Sequence, residues 1–211
     1  MSANRRTHLI ICSAALPSSR ALLRAQDQET SANLGTMLIE TERLTLRSFS
    51  HDDQDVMARL FANADFMRFS SGVFTKRQQT IDFIEKVISW EEAGSPSMFA
   101  LTLKPDKTVR GYCGFFHHPQ QGIEDIEIGY RLHPDYWNRG LATEGARAVR
   151  DHAFRDLKLP RVISLIHPDN IPSRRVAEKN GMKPEKKIVF KGFPTLVFAI
   201  ERKRWAAANA V

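Results

Sequence analysis

One stretch constrains the fold of this chain more than any other. Ile126, Ile128 and Tyr130 alternate with Glu127, Gly129 and Arg131 as far as Leu132-His133-Pro134, the period-two pattern of a half-buried strand stopped by proline. Just past Gly140, small apolar residues recur at Ala142, Ala146, Val149 and Ala153. Spacings of four, three and four place them on one helical face, narrow enough to pack closely on a sheet. A strand that passes through a glycine-bearing turn into such a helix requires a layered α/β architecture.

The flanking pattern extends it. Arg43 to Phe49 alternates as a strand, and Ser50, with an acid three residues on, opens a helix carrying Val56, Met57, Leu60 and Phe61. A second helix runs from about Thr75, with Ile81, Ile84, Val87 and Ile88 on its apolar face, to Gly94. Met98 to Leu103 and Val109 to Phe116 read as a strand hairpin, and Val162 to Ile166 as a buried strand. A short helix from near Asn170 stops at Asn180-Gly181, and Ile188 to Phe190 and Leu196 to Ile200 are the last strands, joined through residues 191–195. The order β-α-α-β-β-β-α-β-α-β-β predicts a mixed sheet with helices on its faces.

Composition narrows the function. The 211 residues are 42% apolar and 26% charged, enough for a real core, and the net charge of +7 favours an anionic partner: nucleic acid, membrane headgroups or a phosphorylated cofactor. A basic nucleic-acid-binding protein is therefore a rival reading, but no aromatic RNP pattern, helix-turn-helix spacing or zinc-finger spacing supports it. Cys12 and Cys113 build no disulfide framework, which fits a reducing, cytoplasmic setting. No apolar run reaches membrane-spanning length. Adjacent strand residues point to opposite faces, so His117-His118 is not expected to bind a metal, and Trp90 and Phe99 read as core. Residues 1–36, with four arginines and no acid before Asp27, read as an N-terminal extension: a disordered tail or a start placed too early, with a targeting segment as the weaker alternative. The domain is expected over residues 37–211.

The turn before Ala142 also carries chemistry. Helix starts leave backbone N–H groups unpaired and bear roughly half a positive charge, so a glycine at 140 lets a pyrophosphate approach the amides. Here the order and residues resemble the GNAT superfamily of acyl-CoA N-acyltransferases, especially its RimJ/RimL-like branch of ribosomal-protein N-terminal acetyltransferases. Four blocks carry the resemblance: Thr41-Glu42-Arg43-Leu44-Thr45-Leu46-Arg47, Gly111-Tyr112-Cys113-Gly114, Ile128-Gly129-Tyr130 with Tyr136 to Glu144, and Asn170 to Met182 with its N-x-x-S and E-K-x-G pattern. It implies a three-layer α/β/α sandwich with a mixed, largely antiparallel central sheet, and acetyl-CoA as cosubstrate. The family loop Q/R-x-x-G-x-G/A is matched by Trp137 to Ala142, with Trp137 in the Gln/Arg position, a departure usual in that branch.

The resemblance assigns Arg139, Gly140, Leu141, Ala142 and Thr143 to the phosphates, with Arg174, Arg175 and Lys179 nearby. It assigns Asn170 to the pantetheine arm and backbone N–H groups around Arg131 and Leu132 to the thioester carbonyl. It implies direct attack of a primary amine, a protein N-terminal α-amine or a small amine, in a ternary complex. An α-amine with pKa about 7.7 to 8.0 is substantially neutral at physiological pH, whereas a lysine ε-amine is about 0.1% neutral near pH 7.4, a deficit of roughly 4 kcal/mol that demands a base. Glu127 is the candidate base, ahead of Glu124, Asp125 and Glu144, the last of which also suits a helix dipole. The usual tyrosine acid is missing between Ser173 and Gly181, so Ser173 is the candidate partner of the leaving sulfur. A non-catalytic acetyl-CoA sensor is the alternative that this missing tyrosine leaves open. The expected oligomeric state is monomer or homodimer.

Overall fold

The structure is a computed structural model and describes residues 38–209; the extension expected over residues 1–36 lies outside them. Among the described residues, eight strands form one sheet in the order β1-β2-β3-β4-β5-β6-β8-β7. They are β1 (Leu38–Glu40), β2 (Leu44–Arg47), β3 (Met98–Leu103), β4 (Val109–His118), β5 (Ile123–Leu132), β6 (Arg161–Ile166), β7 (Lys183–Phe190) and β8 (Phe193–Glu201). Every pairing is antiparallel except β5 with β6. The helices are α1 (Gln54–Ala62), α2 (Arg77–Glu92), α3 (Leu141–Arg155), α4 (Ile171–Lys179) and α5 (Arg202–Asn209).

Two cores give the three layers. On one face Leu44, Leu46, Phe115, Ile128 and Leu132 meet α3 and Ala177 of α4. The small-residue stripe behaves as its spacing requires: Ala146, Val149 and Ala153 are fully buried, and Ala142 packs at the edge. On the other face α1 and α2 bury Met57, Leu60, Phe61, Ile84 and Val87 against Met98, Ala100 and Tyr112. Each buried Leu, Ile, Val, Phe or Met side chain among them stabilises the fold by about 1.5 to 3 kcal/mol.

Local chemistry sets the ends. The Ser50 amide donates to Asp53 Oδ2 at 2.9 Å, and Asp53 also takes both Arg47 nitrogens, at 2.7 and 2.8 Å, so the opening of α1 is tied to β2. At the end of α4, Gly181 has φ +82°. Arg147 and Arg150 of α3 donate to the terminal carbonyls of Lys179 and Asn180 at 3.1 and 2.8 Å, where the helix dipole favours cations.

The structure corrects the element list in four places. The short edge strand β1 and the terminal helix α5 are additions. Strand β7 begins at Lys183, five residues before the expected Ile188, because Lys183, Glu185, Lys186 and Lys187 are exposed and show no alternation to read. The expected 191–195 connection is a tight turn at Lys191-Gly192, with φ of +50° and +83°, that pairs Phe190 with Phe193.

Candidate active site

The site lies where the one parallel pair gives out. Strands β5 and β6 share a single registered pair, Glu127 with Ile163, although both strands continue beyond it. Side chains then bridge the gap. Ser164 Oγ donates to the Ile128 carbonyl at 2.8 Å, Glu127 Oε1 accepts the Leu165 amide at 3.2 Å, and the Tyr130 hydroxyl donates to the Ser173 carbonyl at 3.1 Å. Burial raises the pKa of the Tyr130 phenol, so it stays a neutral donor.

At the mouth of this gap stands the start of α3. The chain leaves β5, turns through Pro134–Tyr136, and the Trp137 indole donates back to the Leu132 carbonyl at 2.8 Å. Asn138 and Gly140 then take left-handed φ values of +59° and +78°, and no side chain caps the helix. Glu144 is the first residue whose amide bonds back into the helix, to Gly140 O at 3.1 Å. The amides of Leu141, Ala142 and Thr143 therefore lack an intrahelical acceptor beside an exposed loop. Helix α4 differs: Asn170 Oδ1 accepts the Ser173 amide at 3.2 Å, so its start is closed by the chain's own side chain. An uncapped helix start behind a positive-φ glycine fits a pyrophosphate. A Cβ on Gly140 would sit 3.5 Å from the Arg43 guanidinium, an ordinary contact, so conformation rather than room is what requires glycine there.

The remaining assigned residues divide. Arg139 is exposed, with its guanidinium 5.4 Å over the Tyr136 ring and its carbonyl bonded to Arg43. Arg174 Nη1 donates to Pro168 O at 3.3 Å, and its Nε is buried without a partner. Arg175 and Lys179 are exposed on α4. No described residue bonds the Ser173 hydroxyl.

Arg131 and Leu132 face opposite ways. His133 N donates to Arg110 O at 2.8 Å, and ladder alternation then directs the Arg131 amide at Tyr112 on β4. The Leu132 carbonyl, reached by Trp137, points the other way, and its amide shares that side. Between the two backbone groups assigned to the thioester carbonyl, the Leu132 amide is the one facing the gap. The Arg131 guanidinium is occupied on the opposite face of the sheet, donating to the carbonyls of Phe66 and Phe69 at 2.7 and 3.1 Å. Phe69 stacks on His167, just past β6, at 5.8 Å, so this loop lies across the gap.

Glu127 projects to the face shared with Arg131. Its carboxylate is nearly buried and lies 2.5 Å from His118 Nε2, a partner that sequence reasoning passed over because His118 was weighed only as a metal ligand. Beside it a cavity of about 550 Å³ is lined by residues including Asp125, Ile163, Leu165, Lys186 and Phe190. Of the competing acids, Asp125 pairs with Arg161 at 2.9 Å, and Glu144 is saturated by Thr41 and Arg43. Burial raises the Glu144 pKa, but those donors outweigh it and hold the carboxyl below its ordinary range.

Comparison with known proteins identifies the family. The model of the acetyltransferase (GNAT) domain family matches residues 43–183. YnaD of Bacillus subtilis, named an uncharacterized N-acetyltransferase, is 30% identical over 176 residues, covering 80% of this chain and 99% of its own length. The B. subtilis protein YkkB is 32% identical over 178 residues, 82% of this chain and 99% of its own. A GNAT-family acetyltransferase structure from Bacillus anthracis superposes with a TM-score of 0.67 at 29% identity, covering 79% of this chain and 99% of that one. RimL, a ribosomal-protein α-N-acetyltransferase solved with coenzyme A, shares the fold with a TM-score of 0.64 at 17% identity, over 78% of this chain and 98% of its own. Matched over residues 43–183 by the family model, and 30% and 32% identical to relatives along nearly their whole length, this chain belongs to the GNAT family and is an N-acetyltransferase.

Proposed function

We propose that the protein transfers an acetyl group from acetyl-CoA directly to a primary amine, a protein N-terminal α-amine or a small amine, with both substrates bound together. The observation that carries the reading is the uncapped start of α3 behind Gly140, set at the mouth of the gap that Glu127 faces from the other side. Acetyl-CoA supplies an activated acyl group as a thioester. The chain's own residues do the rest. The amides of Leu141, Ala142 and Thr143 hold the diphosphate, with Arg139 and Arg174 close by. The Leu132 amide, on the gap side, donates to the carbonyl oxygen as charge develops there. Glu127 takes the proton of the amine. Ser173, its hydroxyl uncommitted, faces the departing sulfur, and a thiol with a pKa near about 8.5 needs little more help than that.

The RimJ/RimL-like motifs support an α-amine acceptor, and so does the amine chemistry, since an α-amine is already substantially neutral. The acceptor approaches between the loop holding Phe69 and the β7–β8 hairpin. The test is a thiol-release assay with acetyl-CoA against tetrapeptides of all twenty N-terminal residues, spermidine, benzylamine and Nα-acetyl-lysine amide. Turnover of an α-amine or a small amine is the expected result; thiol release with none of them overturns the reading.

A further inference from the structure

We propose that His118 is the positioning residue of Glu127, the imidazole fixing the carboxylate in place and holding it by a hydrogen bond. The inference rests on the reading of Glu127 as the base. His118 Nε2 lies 2.5 Å from Glu127 Oε2, and the two side chains are 9% and 12% exposed. The imidazole is itself held, edge-on to Phe190 at 4.8 Å and stacked on Phe116 at 6.0 Å. The other carboxylate oxygen takes the Leu165 amide. Glu127 is thus gripped from β4 on one side and β6 on the other, at the β5–β6 seam with its single registered pair.

Strands β4 and β5 are registered from Gly111–Leu132 to Phe116–Glu127, and His118 stands just past the break in register that follows, so its ring reaches back to Glu127 from beyond the ladder. The geometry of the pair demands a shared proton. A bare imidazole nitrogen and a carboxylate oxygen repel each other at 2.5 Å, so one hydrogen lies between them. With Nε2–H donating to Oε2, His118 is neutral and Glu127 is an ionised carboxylate ready to accept a proton. Adding a proton at His118 Nδ1 makes an imidazolium, which stabilises the carboxylate and weakens it as a base.

The other titratable groups around the pair are Tyr112 on β4 and Tyr130 on β5, both sensitive to the Glu127 charge, and Lys191 of the hairpin, 5.1 Å over the Phe190 ring. Arg131, four residues along β5, is engaged by Phe66 and Phe69.

The test is a set of variants, H118Q, H118L, E127Q and H118L/E127Q, assayed from pH 6 to 9 with the best acceptor of the amine panel. Glutamine keeps a donor but cannot titrate. H118Q, which keeps the donor to Glu127, is expected to retain kcat to within about 3-fold where H118L does not. H118L is expected to lose about 10- to 100-fold in kcat with KM for acetyl-CoA unchanged, and to cost less than about 2-fold once Glu127 is already glutamine. Equal losses for H118L in both backgrounds, or wild-type rates for H118L beside a slow E127Q, overturn the positioning role and leave Glu127 as base. A wild-type rate for E127Q overturns the base reading itself. Should the leucine variant fail to fold, ¹⁵N-histidine spectra of the unmodified protein decide: a protonated Nε2 at pH 7.5 is expected, and a bare Nε2 overturns the proposal.

Discussion

Glu144 on α3 and Arg43 just before β2 are joined by three contacts across 101 positions of sequence: the Arg43 amide reaches Glu144 Oε1 at 2.8 Å, and its Nε and Nη2 reach Oε2 at 2.7 and 2.6 Å. Thr41 Oγ1 adds a fourth at 2.6 Å, and Arg43 Nη1 goes on to the Arg139 carbonyl at 3.0 Å. The turn between β1 and β2 is therefore a staple on the loop proposed to hold the diphosphate. Replacing Arg43 with alanine is expected to weaken coenzyme A binding about 3- to 10-fold by titration calorimetry, while thermal stability changes little because the pair is partly exposed. An unchanged affinity would dissociate the staple from the loop.

Gly140→Val is expected to reduce coenzyme A affinity by more than 10-fold. A β-branched residue at φ +78° costs about 1 to 2 kcal/mol and shifts the turn whose amides must meet the ligand. Circular dichroism establishes folding, and a folded variant with wild-type affinity contradicts the assignment.

Glu127→Gln is expected to lose about 10²- to 10⁴-fold in kcat at pH 6.5 and less at pH 9, where the acceptor amine is deprotonated by solvent. A loss that is constant with pH argues against proton removal by this carboxylate.

Asp53 gives a pH signature for stability rather than rate. Burial raises its pKa, yet the Arg47 and Ser50 donors outweigh burial and hold it below the ordinary value of the free acid. A carboxyl with a lowered folded pKa contributes stability that is present above the unfolded pKa, near about 3.9, and is lost as pH falls through the folded value. Asp53→Asn is expected to lower Tm by roughly 4 to 8 °C at pH 7, on the scale of about 2 kcal/mol for hydrogen bonds to charge, with the gap closing below pH 4. A gap of constant size down to pH 2.5 refutes the linkage.

Asn170→Ala separates cap from ligand contact. Loss of the Ser173 cap is expected to destabilise the protein by about 1 kcal/mol in urea unfolding. If coenzyme A affinity falls by much more than that, Asn170 also touches the pantetheine arm.

Much of this was legible because the sequence signals were local. Met98–Leu103 has the bounds that its run and the following turn predict, and the Ala146, Val149 and Ala153 stripe locates α3 on the sheet. Glycine and left-handed φ coincide at Gly140 and Gly181, so turn chemistry marked both helix ends. What stayed hidden depends on partners far along the chain. Nothing adjacent to Glu144 announces Arg43, and His118 gains its meaning only when β4 lies beside β5. Strand β7 was shortened because a lysine-rich edge, wet on both faces, has no periodicity. The orientation of the Arg131 and Leu132 amides follows from ladder register, which residue types alone do not encode.

The single registered pair between β5 and β6 has a mechanical consequence. The sheet is effectively two panels latched by Ser164, Glu127 and Tyr130, and a nucleotide arm entering the slot becomes a structural wedge as well as a reactant. Saturating coenzyme A at a hundred times its dissociation constant should add about 2.7 kcal/mol, and slowed amide exchange along β6 would reveal the seam being mortared shut.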